Sequence, residues 1–267
     1  MQWDVLAHGY GLVEGPTIDT DGSLLFSDVL NGGVYRLAPD GAITPVVPKR
    51  RGIGGIALHA DGGIVCSGRD VVHIHDGETR TVLHVDGVAG WNDLCTDASG
   101  RVYAGALRFA VFDPNAEVVP GECWCVDSDT GPAILFDGVV HANGVVCLPD
   151  GRVVMSDTRS RQLVFFDATT QTRRAVDVRE HGHPDGMALD EDGNVWVALV
   201  SGGVGRFAPD GHLLDRIEPP SSFVTSVCFS GNDLYVTTGG HDDPALAGCV
   251  LRTTVGVAGA PVPPARV

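Results

Sequence analysis

Four residues in this chain share one position relative to a recurring turn, and all four carry side-chain oxygen: Glu14, Asn92, Asn143 and Asp185. Each stands seven positions before the residue that precedes a turn glycine, as Asp185 does before Asp192-Gly193. Gly54 holds the same place in a fifth copy, and Val224 in a degenerate sixth whose turn is Ser230-Gly231-Asn232. A lone Asp or Asn there would need no further explanation than a bond to the local backbone. Four in register, on different copies of one unit, converge if the units are arranged about an axis. Two carboxylates and two amide carbonyls make an all-oxygen set that suits a hard divalent cation, Ca²⁺ first, with Mg²⁺ or Mn²⁺ compatible. No cysteine occupies an equivalent position, which counts against a thiolate zinc site but leaves Zn²⁺ or Fe²⁺ on oxygen ligands open. Carboxylates held together also need a cation or a proton to be stable.

The elements that must position these residues are hairpins. Each copy is a short apolar run, an Asp-Gly or similar turn, and a second run rich in β-branched and aromatic residues. The leading positions are spaced by 40, 38, 51, 42 and 39 residues. A repeat of that length with four strands per unit is the signature of propeller blades. The expectation is an all-β fold, a six-bladed β-propeller filling residues 1–267 as one domain, with blade hairpins starting near 14, 54, 92, 143, 185 and 224. In blade one, 16–20, 23–27, 33–37 and 43–47 read as the four strands; in blade four, 162–167 and 172–178 read as the outer pair. Residues 4–7 and 249–253 are left to close one blade between the two ends, and 259–264 form a Pro-rich tail.

Alternating strand direction puts the leading residues and the loops after each second strand at one end of the channel. That end gathers Trp91, His181, His183 and the loop at 108–121, whose extra length accounts for the 51-residue spacing and which reads as a lid.

Composition narrows the partners. A net charge of −16 argues against a nucleic-acid backbone or an anionic membrane surface. No apolar run approaches the roughly 20 residues of a membrane span, and the first residues lack the pattern of a secretory signal. The seven cysteines are an odd number, four of them in repeated strands where Cys acts as a small buried hydrophobe, and Cys123-Trp124-Cys125 has the wrong spacing for zinc or thioredoxin chemistry. A reduced, cytoplasmic setting and a monomer are expected.

Glu14-Gly-Pro, Asn92-Asp-Leu, Ala-Asn143-Gly, Pro-Asp185-Gly-Met, Gly-Asn-Val-Trp-Val-Ala and Thr225-Ser226-Val-Cys-Phe resemble the gluconolactonase/regucalcin (senescence-marker-protein) family, over nearly the whole chain. The resemblance implies a propeller with one divalent metal in its channel. It implies Glu14, Asn143 and Asp185 as metal ligands, Asn92 as a substrate contact or further ligand, and hydrolysis of sugar-acid lactones. One departure stands out: sugar-lactone members carry an Arg two residues before the Asn that matches Asn92, and this chain has Gly90 there, followed by Trp91. Glycine offers no side-chain donor to a polyhydroxylated ring, so a more apolar lactone is as good a substrate, with Trp91, Arg108 and His183 as further contacts. The expected mechanism is attack of water, with Asp185 as general base, on a metal-polarised lactone carbonyl. Other esterase, phosphotriesterase or strictosidine-synthase-like chemistry on the same scaffold is one alternative. A non-enzymatic calcium- or ligand-binding propeller is the other. No G-x-S-x-G elbow or phosphate loop is present.

Overall fold

The computed structural model describes residues 1–267. It contains 24 strands in six four-stranded antiparallel sheets. Strand β1 (Asp4–Ala7) comes first but lies outermost in the last sheet. The first blade is β2 (Val13–Ile18), β3 (Leu24–Asp28), β4 (Val34–Leu37) and β5 (Ile43–Val47). The second is β6 (Ile56–Leu58), β7 (Ile64–Cys66), β8 (Val71–His75) and β9 (Glu78–Leu83). The third is β10 (Gly90–Thr96), β11 (Val102–Leu107), β12 (Gly121–Asp127) and β13 (Gly131–Val139). The fourth is β14 (Ala142–Cys147), β15 (Val153–Asp157), β16 (Gln162–Asp167) and β17 (Thr172–Asp177). The fifth is β18 (His183–Leu189), β19 (Val195–Val200), β20 (Gly203–Phe207) and β21 (Leu213–Ile217). The sixth sheet is β22 (Val224–Ser230), β23 (Asp233–Thr238) and β24 (Val250–Thr254), completed by β1.

That last pairing joins the chain ends. Asp4 sits opposite Arg252 across β1 and β24, and the Arg252 guanidinium bonds the Asp4 carboxylate at 2.8 Å. The apolar cores lie between neighbouring blades. One packs Leu148, Leu163 and Phe165 of blade four against Met187, Leu199 and Phe207 of blade five. The second and third strands supply most of this burial, while outer strands such as β5 and β17 are largely exposed. Hydroxyls add polar ties near the axis: Thr17 Oγ1 donates to Ile56 O at 2.7 Å, Ser27 Oγ to Ile53 O at 2.6 Å, Ser156 Oγ to Asp185 O at 2.7 Å and Thr225 Oγ1 to Val13 O at 2.6 Å. Each bond crosses from one blade to the next, so it fixes blade against blade as well as satisfying a buried carbonyl.

The tail does more than trail off. Gly259 N–H donates to Gly231 O, Ala260 N–H to Leu189 O, Ala265 N–H to Leu58 O and Arg266 N–H to Gly100 O. It therefore crosses the turn end of the channel, from blades five and six to blades two and three, and forms a floor. No helix is long and apolar enough to cross a membrane.

Candidate active site

The inner strands carry the same irregularity in five blades. Pairing with the second strand shifts register between Glu14 and Thr17, Trp91 and Leu94, Ala142 and Val145, Pro184 and Met187, and Val224 and Ser226. A bulge bends the strand and re-aims the side chains within it. The four oxygen-bearing leading residues are thus not at the strand starts, as the pattern predicts, but one or two residues inside, at the bulge, while Val224 does open its strand. In blade two, Gly54 and Gly55 precede the strand.

The residue after the leading one comes very close to the next blade. A Cβ on Gly144 would lie 2.2 Å from Asp185 O, and one on Gly186 2.1 Å from Ser226 Oγ. Gly15, Gly55, Gly144 and Gly186 fill this place in four blades; in blade three it is Asp93. Asp93 is the site residue that the pattern of leading positions misses. The signal was in the repeat, where Asn92-Asp93 aligns with Glu-Gly, Gly-Gly, Asn-Gly and Asp-Gly.

Glu14, Asp93, Asn143 and Asp185 are buried and Asn92 half-buried. Burial, then the Asp185 and Asp93 carboxyls, push the Glu14 carboxyl well above its ordinary range. Asp185 is raised by burial and by Asp93, against the lowering effect of the Asn143 amide and the Gly186 N–H. Burial alone raises Asp93 to about 7, although its own carboxylate accepts the Leu94 N–H at 2.8 Å. Glu14, Asp93 and Asp185, from blades one, three and five, therefore lie within electrostatic reach of one another.

The amides are oriented by their partners. Thr158 Oγ1 donates to Pro184 O at 2.7 Å, so it can only accept from Asn143, whose Nδ2 lies 3.1 Å away. Asn92 Nδ2 donates to Ala142 O at 3.1 Å, and its Oδ1 packs over Gly54 so closely that a Cβ there would lie 2.4 Å from it. Both amide oxygens are thereby left without the amide's own donors in competition. Asp185 Oδ1 is buried with no hydrogen-bond partner at all. No three His, Cys, Asp or Glu side chains gather at the spacing of a ready-made metal cage; the oxygen set here is two or three carboxyls completed by amides.

Other predicted contacts lie elsewhere. Trp91 packs outward, buried among Val71, Leu83 and Val126 with its ring edge-on to Trp124 at 6.0 Å, so it belongs to the core between blades two and three and not to a substrate pocket. The strand alternation that aims Asn92 inward turns its neighbour away. Arg108 is held by Glu122 on the adjacent strand, Nε to Oε1 at 3.0 Å and Nη2 to Oε1 at 2.9 Å, and braces the base of the insertion rather than reaching for a ligand. Phe109 is buried, edge-on to His141 at 6.5 Å and under the Arg159 guanidinium at 5.9 Å, so the insertion is clasped onto blade four. His183 opens β18, half-buried, two residues before Asp185; the His181 ring lies 6.2 Å from that of Phe207.

A cavity of about 910 Å³ lies not on the side of the leading residues but below them, between the acidic cluster and the tail. Asp93 lines it, together with Leu94, Cys95, Cys147, Met187 and Cys228.

Known proteins resemble this chain in sequence and fold. The family model described as the SMP-30/Gluconolactonase/LRE-like region matches residues 12–240. A pentonolactonase from Haloferax volcanii is 31% identical over 267 residues, covering 93% of this chain and 89% of its own. A 6-deoxy-6-sulfogluconolactonase from Pseudomonas putida is 31% identical over 267 residues, covering 90% and 89%. The crystal structure of a calcium-binding regucalcin from Agrobacterium tumefaciens superposes with a TM-score of 0.82 at 24% identity, covering 98% of this chain and 97% of that one.

Proposed function

The chain belongs to the SMP-30/gluconolactonase/LRE-like family, and on that premise we propose that it is a metal-dependent hydrolase that opens a small lactone at the acidic cluster of its channel. One observation carries the reading beyond the family: a buried carboxylate oxygen, Asp185 Oδ1, without any partner, among two further buried carboxyls. An uncompensated buried charge is costly, and a hard divalent ion is the group whose chemistry fits these oxygens. Glu14, Asn143 and Asp185 would hold it, with Asn92 beside them and Asp93 adding negative charge from below. Ca²⁺ is the first choice, supported by the calcium-binding description of the solved relative; Mg²⁺, Mn²⁺, Zn²⁺ and Fe²⁺ follow. When bound, such an ion supplies Lewis-acid polarisation of the ester carbonyl.

The remaining work falls to the chain. Asp185 takes the proton of the attacking water. Asn92, its Nδ2 committed to Ala142 O, offers Oδ1 to a substrate hydroxyl. His183 is assigned to the hydroxyl released when the ring opens. The names of the two curated relatives support a sugar-acid lactone, while Gly90 removes one donor and widens the range to less hydroxylated rings.

The test is acid release from a lactone panel by chelated protein, with each of the five ions added singly. Turnover that depends on one of them supports the proposal. Absence of turnover with every ion, alongside a metal-induced rise in melting temperature, would identify a binding protein instead.

A further inference from the structure

The cavity beneath the acidic cluster holds chemistry that lactone opening does not use. Cys95 on β10 and Cys147 on β14 belong to neighbouring blades, and their Sγ atoms are 3.7 Å apart. All seven cysteines are free thiols, and this is the one pair whose sulfurs lie within hydrogen-bond distance. Both are half-buried and both line the 910 Å³ cavity, whose outer walls include the exposed Ala98, Ser99 and Pro149 near the solvent-facing turns. Cys123 and Cys125 pack against the same core from behind, but neither lines the cavity.

We propose that Cys95 and Cys147 are a dithiol modification site, which a small-molecule disulfide oxidises to a bond between the inner strands of blades three and four. One thiol, as thiolate, attacks the reagent and forms a mixed disulfide with loss of one reagent thiol. The second then attacks that mixed disulfide, displacing the other reagent thiol. Two cysteine thiols lose two electrons and two protons, and one disulfide reagent becomes two thiols. Closing from 3.7 Å to the roughly 2 Å of a sulfur–sulfur bond is a movement that rotation of two side chains can share. Burial and the neighbouring Cys147 thiol hold the Cys95 thiol protonated at neutral pH, so the reaction is slow and favours mildly alkaline conditions.

The consequence reaches the acidic cluster. Cys95 lies three residues beyond Asn92 and two beyond Asp93, and Cys147 four beyond Asn143. A bond here would pin together the two strands that carry those side chains.

The experiment is incubation of the reduced, full-length protein with 2-hydroxyethyl disulfide, followed by alkylation and non-reducing peptide mapping. Trypsin with chymotrypsin separates Cys147 from Cys123 and Cys125. The expected result is loss of two of the seven thiols, recovered as one Cys95–Cys147 peptide, and no intramolecular bond in Cys147→Ser. Retention of all seven thiols, a bond through any other cysteine, or the same mixture of bonds in native protein and in denaturing urea would each overturn the proposal.

Discussion

At the scale of single residues, Asp185 is where stability and function pull apart. In the metal-free protein its carboxyl is buried, raised and faces two others. Asp185→Asn removes a like charge and keeps the volume, so the variant should fold with a melting temperature equal to or above that of the chelated parent, while turnover falls by about 10³-fold or more, as expected when a general base is lost with its ligand oxygen. Steady-state rates and a thermal melt on the same sample check both halves; retained turnover would remove Asp185 from the base role. Gly90 carries the second prediction. Only Gly68 O approaches a Cβ there, at 3.6 Å, and its backbone is in no left-handed conformation. Gly90→Arg should therefore fold normally and raise kcat/KM for aldonolactones about tenfold relative to an alkyl-substituted lactone, one charged hydrogen bond contributing about 1.5 kcal/mol. An unchanged ratio would show that no substrate hydroxyl lies within its reach. Residues of this kind were partly legible in the sequence. Glu14, Asn92, Asn143 and Asp185 stood out because oxygen recurred where a hairpin requires none; Asp93 did not, because it differs from glycine at a position whose crowding only the three-dimensional packing explains.

At the scale of elements, the bulge is the device that turns a repeat into a site. Hairpin turns and strand alternation follow from Asp-Gly pairs and β-branched runs, and so the strands were readable to within a few residues, as 162–167 in blade four shows. The bulges were not, because a shift of register between the first and second strand of a blade leaves no mark in the alternation of residues. For the same reason Trp91 was misread: its sequence neighbour Asn92 faces the axis, and the bulge does not bring the indole with it. The role of the tail was not legible, since its partners Leu58, Gly100, Leu189 and Gly231 are scattered over four blades. The bulge makes a specific demand. Gly144→Ala puts a methyl carbon 2.2 Å from a backbone oxygen of the adjacent strand, an overlap that only backbone displacement relieves. The expected cost is about 2 kcal/mol, read by urea unfolding, with a loss of affinity for the proposed Ca²⁺ because the disturbed contact joins the strands that carry Asn143 and Asp185. Full stability in that variant would mean the blades slide past one another more freely than the contact allows.

At the scale of the whole molecule, six blades closed by β1 and floored by the tail force acidic side chains from blades one, three and five into one channel, and the fold must tolerate them. We propose that residues 1–267 unfold as a single domain, in one calorimetric transition, and that this transition reports the cluster through its pH dependence. Glu14, Asp93 and Asp185 have folded-state pKa values above their unfolded ones. Between the two values the folded state binds more protons, so stability falls as pH rises through that window and is regained on acidification. The slope is on the order of 1 kcal/mol per pH unit for each carboxyl that titrates there. For Asp93 the window runs from about 4 in the unfolded chain to about 7 in the folded one. Chelated protein should accordingly melt at a higher temperature at pH 5.5 than at pH 8, the opposite of a protein held by ordinary salt bridges. On the proposed function, saturating Ca²⁺ should reverse the order, because an ion held by the ionised carboxylates of the folded state would stabilise it by about 2.7 kcal/mol at a hundredfold excess over Kd. Asp93→Asn is the control that ties part of the effect to the channel: it should reduce the pH dependence of the chelated protein, leaving the share of Glu14 and Asp185. A dependence of equal size in that variant would show that Asp93 does not titrate in this window.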